Sequence, residues 1–252
     1  MEENIGKEFM RKTIHAHLSP SGEKTGVPQP PLELPIPPEA HCIPLPAPDF
    51  DSIPALDLVS AMQARRSVRH YSPQALSLNE LSFLLWATQG VQQVTDRPAT
   101  LRPVPSAGAR HAFETFLLVR RVEGLPAGLY RYAALENQLV EHSRDGEVAE
   151  KLAEFCRSSH PICRDSAVTF FWVAVAERMT WRYSERGYRF LHLDAGHVCQ
   201  NLYLAAEALG CGTCAIGGYN DVDMNALLGL DGETMFVIYL AALGKKVVEA
   251  QG

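Results

Sequence analysis

Residues 65–71 read RRSVRHY, and this stretch places three guanidiniums and a hydroxyl within five residues. Upstream, apolar side chains recur at helical spacing, and downstream Ser72-Pro73 prevents a helix from continuing. The arginines therefore lie at the exit of a helix. Guanidinium groups bind phosphate and carboxylate through paired donors, whereas cations at a helix end are also common on solvated surfaces. An anion site and a solvated helix end both remain open from this stretch alone.

Composition limits the functions that the chain can have. It has 252 residues, 46% of them hydrophobic and 21% charged, which suffices for one large domain or two small ones. The formal net charge of -6 disfavours a nucleic-acid partner. No apolar run reaches the roughly 20 residues that span a bilayer, and the N-terminus lacks a basic region followed by an apolar one. We therefore expect a cytoplasmic protein that binds neither membrane nor nucleic acid.

The cysteines do not form a metal or disulfide pattern. Two of the six stand in a lone C-x-x-C at Cys211 and Cys214. A zinc site needs four ligands, and no second pair stands at ribbon spacing. A disulfide framework is typical of exported proteins, and this sequence carries no export signal. The sequence therefore predicts no metal site and small apolar cysteines in a core.

The first 50 residues differ in composition from the rest. Nine prolines fall between Pro28 and Pro48, which favours an extended, polyproline-like path. Apolar residues alternate with these prolines, so this arm is expected to lie against a body, and a partner subunit is one such surface. We divide the chain into an extended Pro-rich arm over residues 1–50 and a body over residues 51–252.

The body intersperses helical and strand patterns. Helices are predicted near 77–90, 147–155, 188–209 and 222–228, and strands near 114–121, 128–132, 138–142, 167–176 and 235–243. The continuously apolar run at 167–176 is typical of a central strand that is covered on both faces. The helix at 188–209 is apolar on two sides, so we expect it inside the domain or between subunits. Together these patterns predict one α+β domain.

Four ordered stretches resemble the FMN-dependent nitroreductase-like superfamily, and specifically its SagB-type, azoline dehydrogenase-like branch. They read RRSVRHY at 65–71, PSAGARH at 105–111, DAGHVCQN at 194–201 and GTCAIGGY at 212–219. The resemblance implies a three-layer α-β-α fold with a mixed, mainly antiparallel central sheet. It also implies an intertwined homodimer that holds two FMN molecules in clefts at the subunit interface.

The resemblance further implies the residues that bind FMN. The phosphate set is Arg65, Arg66 and Ser67, beside Arg69 at the pyrimidine end of the ring. The set from the other subunit is Pro105, Ser106, Ala107 and Gly108. The set along the ring near N5 is Ala215, Ile216, Gly217 and Gly218, and Lys245 would add a last phosphate or ribitol contact. A fixed cation at the pyrimidine end has a physical reason, because reduced flavin carries negative charge there.

The catalytic expectation concerns Arg182 and Tyr183. In azoline dehydrogenases of this branch a Lys-Tyr pair before the long helix is associated with proton abstraction, and this chain has Arg182-Tyr183 in the comparable place. Arginine makes a poor general base because its guanidinium stays protonated. Tyr183 remains a candidate acid or base. A surface pair without a catalytic role is the alternative interpretation.

Three functions remain open. The first is an FMN-dependent oxidoreductase that transfers hydride through flavin N5, reductively, from NAD(P)H to a nitro, quinone or other small acceptor. The second is a SagB-like dehydrogenase that oxidises azoline-type rings in a peptide. The third is a non-catalytic flavoprotein or complex subunit. Oxidising an azoline requires a base that removes a proton from carbon, and the usual lysine is missing, so we favour the first.

Overall fold

The computed structural model describes residues 4–247. Its α-helices are α1 Ile5–Lys12, α2 Gly22–Thr25, α3 Leu58–Ala64, α4 Leu78–Gln89, α5 Gly146–Glu154, α6 His160–Asp165, α7 Ala176–Tyr183, α8 Gly187–Ala208 and α9 Asp221–Leu227. Its strands are β1 Cys42–Pro44, β2 Gln93–Val94, β3 Thr100–Leu101, β4 Phe113–Val119, β5 Gly128–Ala133, β6 Gln138–Ser143, β7 Val168–Val175, β8 Cys211–Ile216 and β9 Met235–Lys245. Within residues 4–247, none of the helices combines the length and apolarity that crossing a membrane requires.

A seven-stranded sheet of order β1-β6-β5-β4-β7-β9-β8 forms the middle of the fold. Its neighbouring strands pair antiparallel throughout. Parallel pairing occurs at isolated bridges, such as the one between Ser67 and Thr213 at the β8 edge. Strands β4 and β7 are buried along their whole length, as the apolar run at 167–176 predicts. The mainly antiparallel central sheet is confirmed.

Helices cover both faces of this sheet. Successive strand residues point to opposite faces, and along β7 Phe170 and Trp172 join one hydrophobic cluster while Phe171 and Val173 join another. Helices α4 and α8 pack in the first cluster, and α5 and α9 pack in the second. The predicted three-layer α-β-α architecture is therefore confirmed.

Local sequence signals explain where several helices begin. Ser77 and Glu80 form the predicted capping box at the start of α4. Helix α9 begins one residue earlier than predicted, because the side chain of Asn220 caps it by accepting the N–H of Asp223. Five of the six cysteines are buried, and all six are free thiols, as expected for small apolar core residues.

Residues 4–50 pack against the body of their own chain. Residues 26–41 form neither helix nor strand, in line with their proline content. The segment before them is not extended, because it contains the helix α1. This helix begins where the side chain of Asn4 accepts the N–H of Lys7. Strand β1 then pairs with β6 and adds to one edge of the sheet. The division of the chain at residue 50 stays a prediction.

Candidate active site

The arginines of residues 65–71 follow the end of α3, as the sequence predicts. Arg65 is the C-terminal cap of α3, and its guanidinium lies 5.3 Å from the ring centroid of Tyr203. Arg66 and Arg69 are exposed and donate to nearby backbone carbonyls. Among residues 4–247, no carboxylate lies within 4.0 Å of any of these three guanidiniums. The positive charge of the cluster is therefore not neutralised by these carboxylates and is available to a ligand.

Tyr203 of α8 joins this cluster to the glycine turn that follows β8. Its hydroxyl lies 3.1 Å from Ser67 Oγ and accepts the N–H of Ala215 at 2.8 Å. Because the phenolic oxygen accepts from Ala215, its own proton can go to Ser67, which leaves the Ser67 proton available to a ligand. Gly217 and Gly218 lie exposed just beyond, and nothing lies within 4 Å of the place where a Cβ on Gly218 would stand.

Close backbone approach fixes residues 65–71 against β8. The N–H of Val68 donates to the carbonyl of Thr213 at 2.9 Å. A Cβ on Gly212 would lie only 2.5 Å from Val68 Cβ, so no residue with a side chain fits at Gly212 without a shift. The structure thus brings Arg65, Ser67 and Ala215 together, three of the residues that the resemblance assigns to FMN.

A second group of predicted residues lies around Asp194 of α8. Ser106 Oγ donates to Asp194 Oδ2 at 2.6 Å, and the N–H of Ala107 donates to the same carboxylate at 3.2 Å. Asp194 is 4% exposed, and burial raises the pKa of its carboxyl, although these hydrogen bonds oppose that shift. The loop carrying Pro105 to Gly108 is therefore tied to α8 of its own chain.

Arg182 and Tyr183 at the end of α7 lie against the same loop. Gly108 has φ +60, and a Cβ there would stand 2.6 Å from the hydroxyl of Tyr183 and 2.9 Å from Arg182. The Tyr183 ring packs edge-on against Phe190 at 4.7 Å. Arg182 forms an ion pair with Glu23 of the arm at 2.5 Å. The two predicted catalytic residues and Gly108 therefore form one group.

The two groups lie on different sides of α8. Asp194 and Tyr203 are nine residues apart in this helix, which corresponds to about 13 Å along the axis and about 2.5 turns around it. Half a turn beyond two full turns points the two side chains in opposite directions. In one chain, the residues around Ser67 and those around Ser106 therefore do not face a common ligand.

Lys245 is occupied by other contacts. Its ammonium contacts Glu80 and donates to the carbonyl of Leu209 at 3.0 Å. An ammonium carries three donors, so one remains for a ligand. A flavin contact by Lys245 stays a prediction, and the structure gives this lysine a second role in joining α4, α8 and β9.

A cavity of about 450 Å³ opens beside Arg182 and Tyr183. Residues 15–24 of the arm form one wall, and residues 182–190 form the other. The arm is held there by Ser184, which donates to the carbonyl of Ser19 at 2.8 Å, and by Trp181, which donates to the carbonyl of Val27 at 2.8 Å. The volume is within the range of small-molecule sites.

Sequence reasoning missed two residues that organise this region. Tyr203 lies in the helix predicted near 188–209 and Asp194 in the stretch 194–201, but the sequence assigned a role to neither. The available signal was a polar group within a helix predicted to be buried on two sides. A buried tyrosine hydroxyl or carboxylate needs a hydrogen-bond partner. Both residues use that partner to fix a loop that carries predicted site residues.

Comparison with known proteins gives consistent matches. A model of the nitroreductase family matches residues 62–245. A nitroreductase-like protein of Methanocaldococcus jannaschii is 34% identical over 200 residues, which are 79% of this chain and 95% of that protein. The trifolitoxin-processing protein TfxB of Rhizobium leguminosarum is 31% identical over 146 residues, 55% of this chain and 39% of that protein. A solved nitroreductase-like structure from Anabaena variabilis has a TM-score of 0.68 at 31% identity and covers 83% of this chain. This chain covers only 42% of the Anabaena protein.

Proposed function

The chain belongs to the nitroreductase family and to its SagB-type branch, and from this premise we propose that it is an FMN-dependent oxidoreductase. We propose that it works reductively, from NAD(P)H to a nitro, quinone or other small acceptor. Members of the family are oxidoreductases and generally use FMN. One observation carries the proposal: an arginine cluster that pairs with no carboxylate of residues 4–247 is joined through Tyr203 to an open glycine turn.

The residues of this region fit FMN. Arg65, Arg66 and Ser67 would hold the phosphate, because in the described part of the chain their donors contact only backbone carbonyls and Tyr203. Arg69 would stand at the pyrimidine end of the ring, and residues 215–218 would lie along it, since the glycines leave room. Bound FMN supplies the acceptance and donation of hydride. The protein residues bind and orient the cofactor, and the positive charge of Arg69 stabilises its reduced form.

We also propose that the site is completed in a homodimer. Residues 105–108 and residues 65–69 lie on opposite sides of α8, so both sets reach one FMN only if they come from two copies of the chain. Leu58, Val59 and Met62 expose 60%, 63% and 57% of their surface on α3, which offers an apolar surface for association. Sedimentation at micromolar concentration should show a dimer, and a folded, FMN-loaded monomer would contradict this.

The ion pair of Arg182 favours the reductive direction. Arginine is a poor general base, and the Arg182 guanidinium is already bound by Glu23 at 2.5 Å, so Arg182 does not replace the missing lysine. The Tyr183 hydroxyl, which reaches the Gly108 position, can supply a proton to an acceptor that is being reduced. The second candidate is azoline oxidation with Tyr183 as the base. The 31% identity to a trifolitoxin-processing protein supports this alternative.

The cavity beside Tyr183 suits an anionic substrate. Its lining includes Lys24, Arg182 and Arg186 and contains no carboxylate among the described residues. Leu18, Tyr183 and Phe190 add apolar surface. We propose that the acceptor is a small molecule with an apolar body and a negative group. Lys24 and Arg186 would attract this group, since Arg182 is already paired with Glu23.

Anaerobic mixing tests the proposal directly. The purified protein with FMN is mixed with NADH and, separately, with NADPH, while the flavin absorbance is followed. Bleaching, followed by recovery on addition of a nitroaromatic or quinone, is expected. In a second experiment the protein receives an azoline peptide with oxygen as acceptor, and wild type is compared with Arg182→Lys and Tyr183→Phe. Azole formation by the wild type that is lost in Tyr183→Phe would overturn the reductive assignment and make Tyr183 the base.

A further inference from the structure

Two buried arginines meet under the N-terminal arm. Arg110 follows the loop of residues 105–108, and Arg178 lies on α7; they are 5% and 4% exposed. Both line a small pocket of about 10 Å³ whose remaining wall is formed by residues 29–32 of the arm. A space of this volume holds a single particle about the size of a water molecule.

Each arginine has a buried nitrogen without a protein partner. Arg178 donates from Nε to the carbonyl of Pro31 at 2.8 Å and from Nη2 to Glu114 at 2.6 Å, but no acceptor among residues 4–247 meets its Nη1. Arg110 donates from Nε to the carbonyl of Gly108 at 3.1 Å, and its Nη2 likewise has no acceptor there. Burying a charged donor without an acceptor costs free energy. We therefore expect the pocket to hold a particle that accepts hydrogen bonds from both arginines.

The local charge favours an anion over water. Glu114 is 2% exposed and already binds Arg131 at 3.0 Å as well as Arg178. Arg102 and Glu33 also interact with Glu114, and Glu136 interacts with Glu33. Arg97, Arg182 and Glu23 interact with Arg110. The surroundings of the pocket therefore contain six arginines and four glutamates, a smaller but still positive excess. A buried excess of positive charge is unfavourable unless it is neutralised.

The arginines around this pocket also affect the pKa of neighbouring groups. Burial, reinforced by the guanidiniums of Arg102 and Arg110, lowers the pKa of His111 to about 3, so this imidazole adds no charge at neutral pH. Burial also lowers the pKa of Arg110, and the nearby Arg97 and Arg182 act in the same direction. Glu23 acts in the opposite direction, so two guanidiniums and one carboxylate influence Arg110 from nearby.

We propose that the pocket between Arg110, Arg178 and residues 29–32 binds one monovalent anion of the size of chloride, which fastens the arm to the body. The anion accepts from the two free guanidinium nitrogens and neutralises part of the excess charge. This site needs neither FMN nor substrate, and it lies partly on the arm, outside residues 62–245 that match the family.

Bromide replaces chloride and scatters anomalously, which gives a direct test on the full chain. Crystals grown in sodium bromide are expected to show an anomalous peak between the guanidiniums of Arg110 and Arg178. A water molecule at this position without anomalous signal, or bromide bound only at exposed arginines, would overturn the proposal.

Thermal unfolding provides a second measurement. The Tm of the wild type should rise with sodium chloride to a plateau, and not with sodium gluconate at equal ionic strength. Arg110→Gln should lose this chloride-specific rise. Arg164→Gln is the matched control, because Arg164 is exposed and pairs with Asp165, and it should keep the rise. Equal Tm in both salts for the wild type would overturn the proposal. If Arg110→Gln does not fold, the wild-type bromide and Tm measurements still decide.

Discussion

Two arginine-rich regions of this molecule differ in burial and in their partners. Around residues 65–69, Arg66 and Arg69 are exposed and no carboxylate lies near the guanidiniums among the described residues. Under the arm, Arg131 and Arg178 are 6% and 4% exposed, and both bind Glu114. Arginines that face solvent without an acid remain available to a ligand, whereas buried arginines with an acid hold the chain together. The residue type alone does not separate these roles.

The largest effect that tests this comparison concerns the exposed region. Changing Arg65 and Ser67 to alanine should lower FMN affinity by about two to four orders of magnitude, because each charge-assisted contact contributes about 1.5 to 3 kcal/mol. The Tm of the cofactor-free protein should change little. Flavin fluorescence titration measures the affinity, and Arg164→Ala serves as the control. Unchanged flavin content in the double variant would show that the phosphate lies elsewhere.

The buried region should respond in stability and not in affinity. Glu114→Gln removes the charge that compensates Arg131 and Arg178 and should lower the free energy of unfolding by about 3 to 5 kcal/mol. The control is Glu150→Gln, because Glu150 is half exposed and its pair with Arg120 should contribute less than about 1 kcal/mol. Urea unfolding compares the two variants. Equal losses in both would mean that burial does not distinguish the ion pairs.

A third prediction concerns pH. Burial and the nearby Glu114 raise the pKa of Glu33 from its ordinary value of 4.5 to about 7. The folded chain therefore binds this proton more tightly than the unfolded chain, so the contribution of Glu33 to stability is fully present below pH 4.5 and is lost as pH rises to about 7, by about 2 to 3 kcal/mol. Glu33→Gln should flatten this slope, while Glu39→Gln, on an exposed residue, should not. An unchanged slope in Glu33→Gln would contradict the assignment.

The smallest effect concerns the contact that positions the exposed arginines. Gly212→Ala places a Cβ 2.5 Å from Val68 Cβ and should destabilise the protein by about 1 to 3 kcal/mol. FMN affinity should fall as well, since Val68 lies between Ser67 and Arg69. Gly146→Ala is the control, because nothing lies within 4 Å of a Cβ there. Normal FMN binding in Gly212→Ala would mean that this backbone approach does not set the site.

The elements of the fold were predictable because their signals are local. Helical spacing, the capping box at Ser77 and Glu80, and the apolar run at 167–176 each act over a few residues, and the structure has a helix or strand in each place. Helix α1 was not predicted, because the composition of the arm is dominated by prolines that favour an extended path, whereas the signal for the helix is a single capping residue, Asn4.

The candidate site was less accessible because it depends on distant pairs. Tyr203 meets Ser67 across 136 positions of sequence, and Arg182 meets Glu23 across 159. No periodicity or spacing encodes such contacts. One signal was available: Glu114 interrupts an apolar strand, and a buried carboxylate predicts a basic partner. The sequence could have predicted a buried ion pair at β4, but not that the arm would cover it.

The short strand β1 and the prolines of the arm protect one edge of the sheet. A sheet whose outer strand is unpaired can add a strand from another molecule and so lead to aggregation. Here Cys42–Pro44 covers β6 at one edge, and the bridge from Ser67 to Thr213 covers part of β8 at the other. Pro44, Pro46 and Pro48 lack the N–H that a further strand would need, so growth of the sheet stops at the arm. A chain that begins after residue 50 would lose this protection and should be prone to self-association even if its flavin-binding residues are intact.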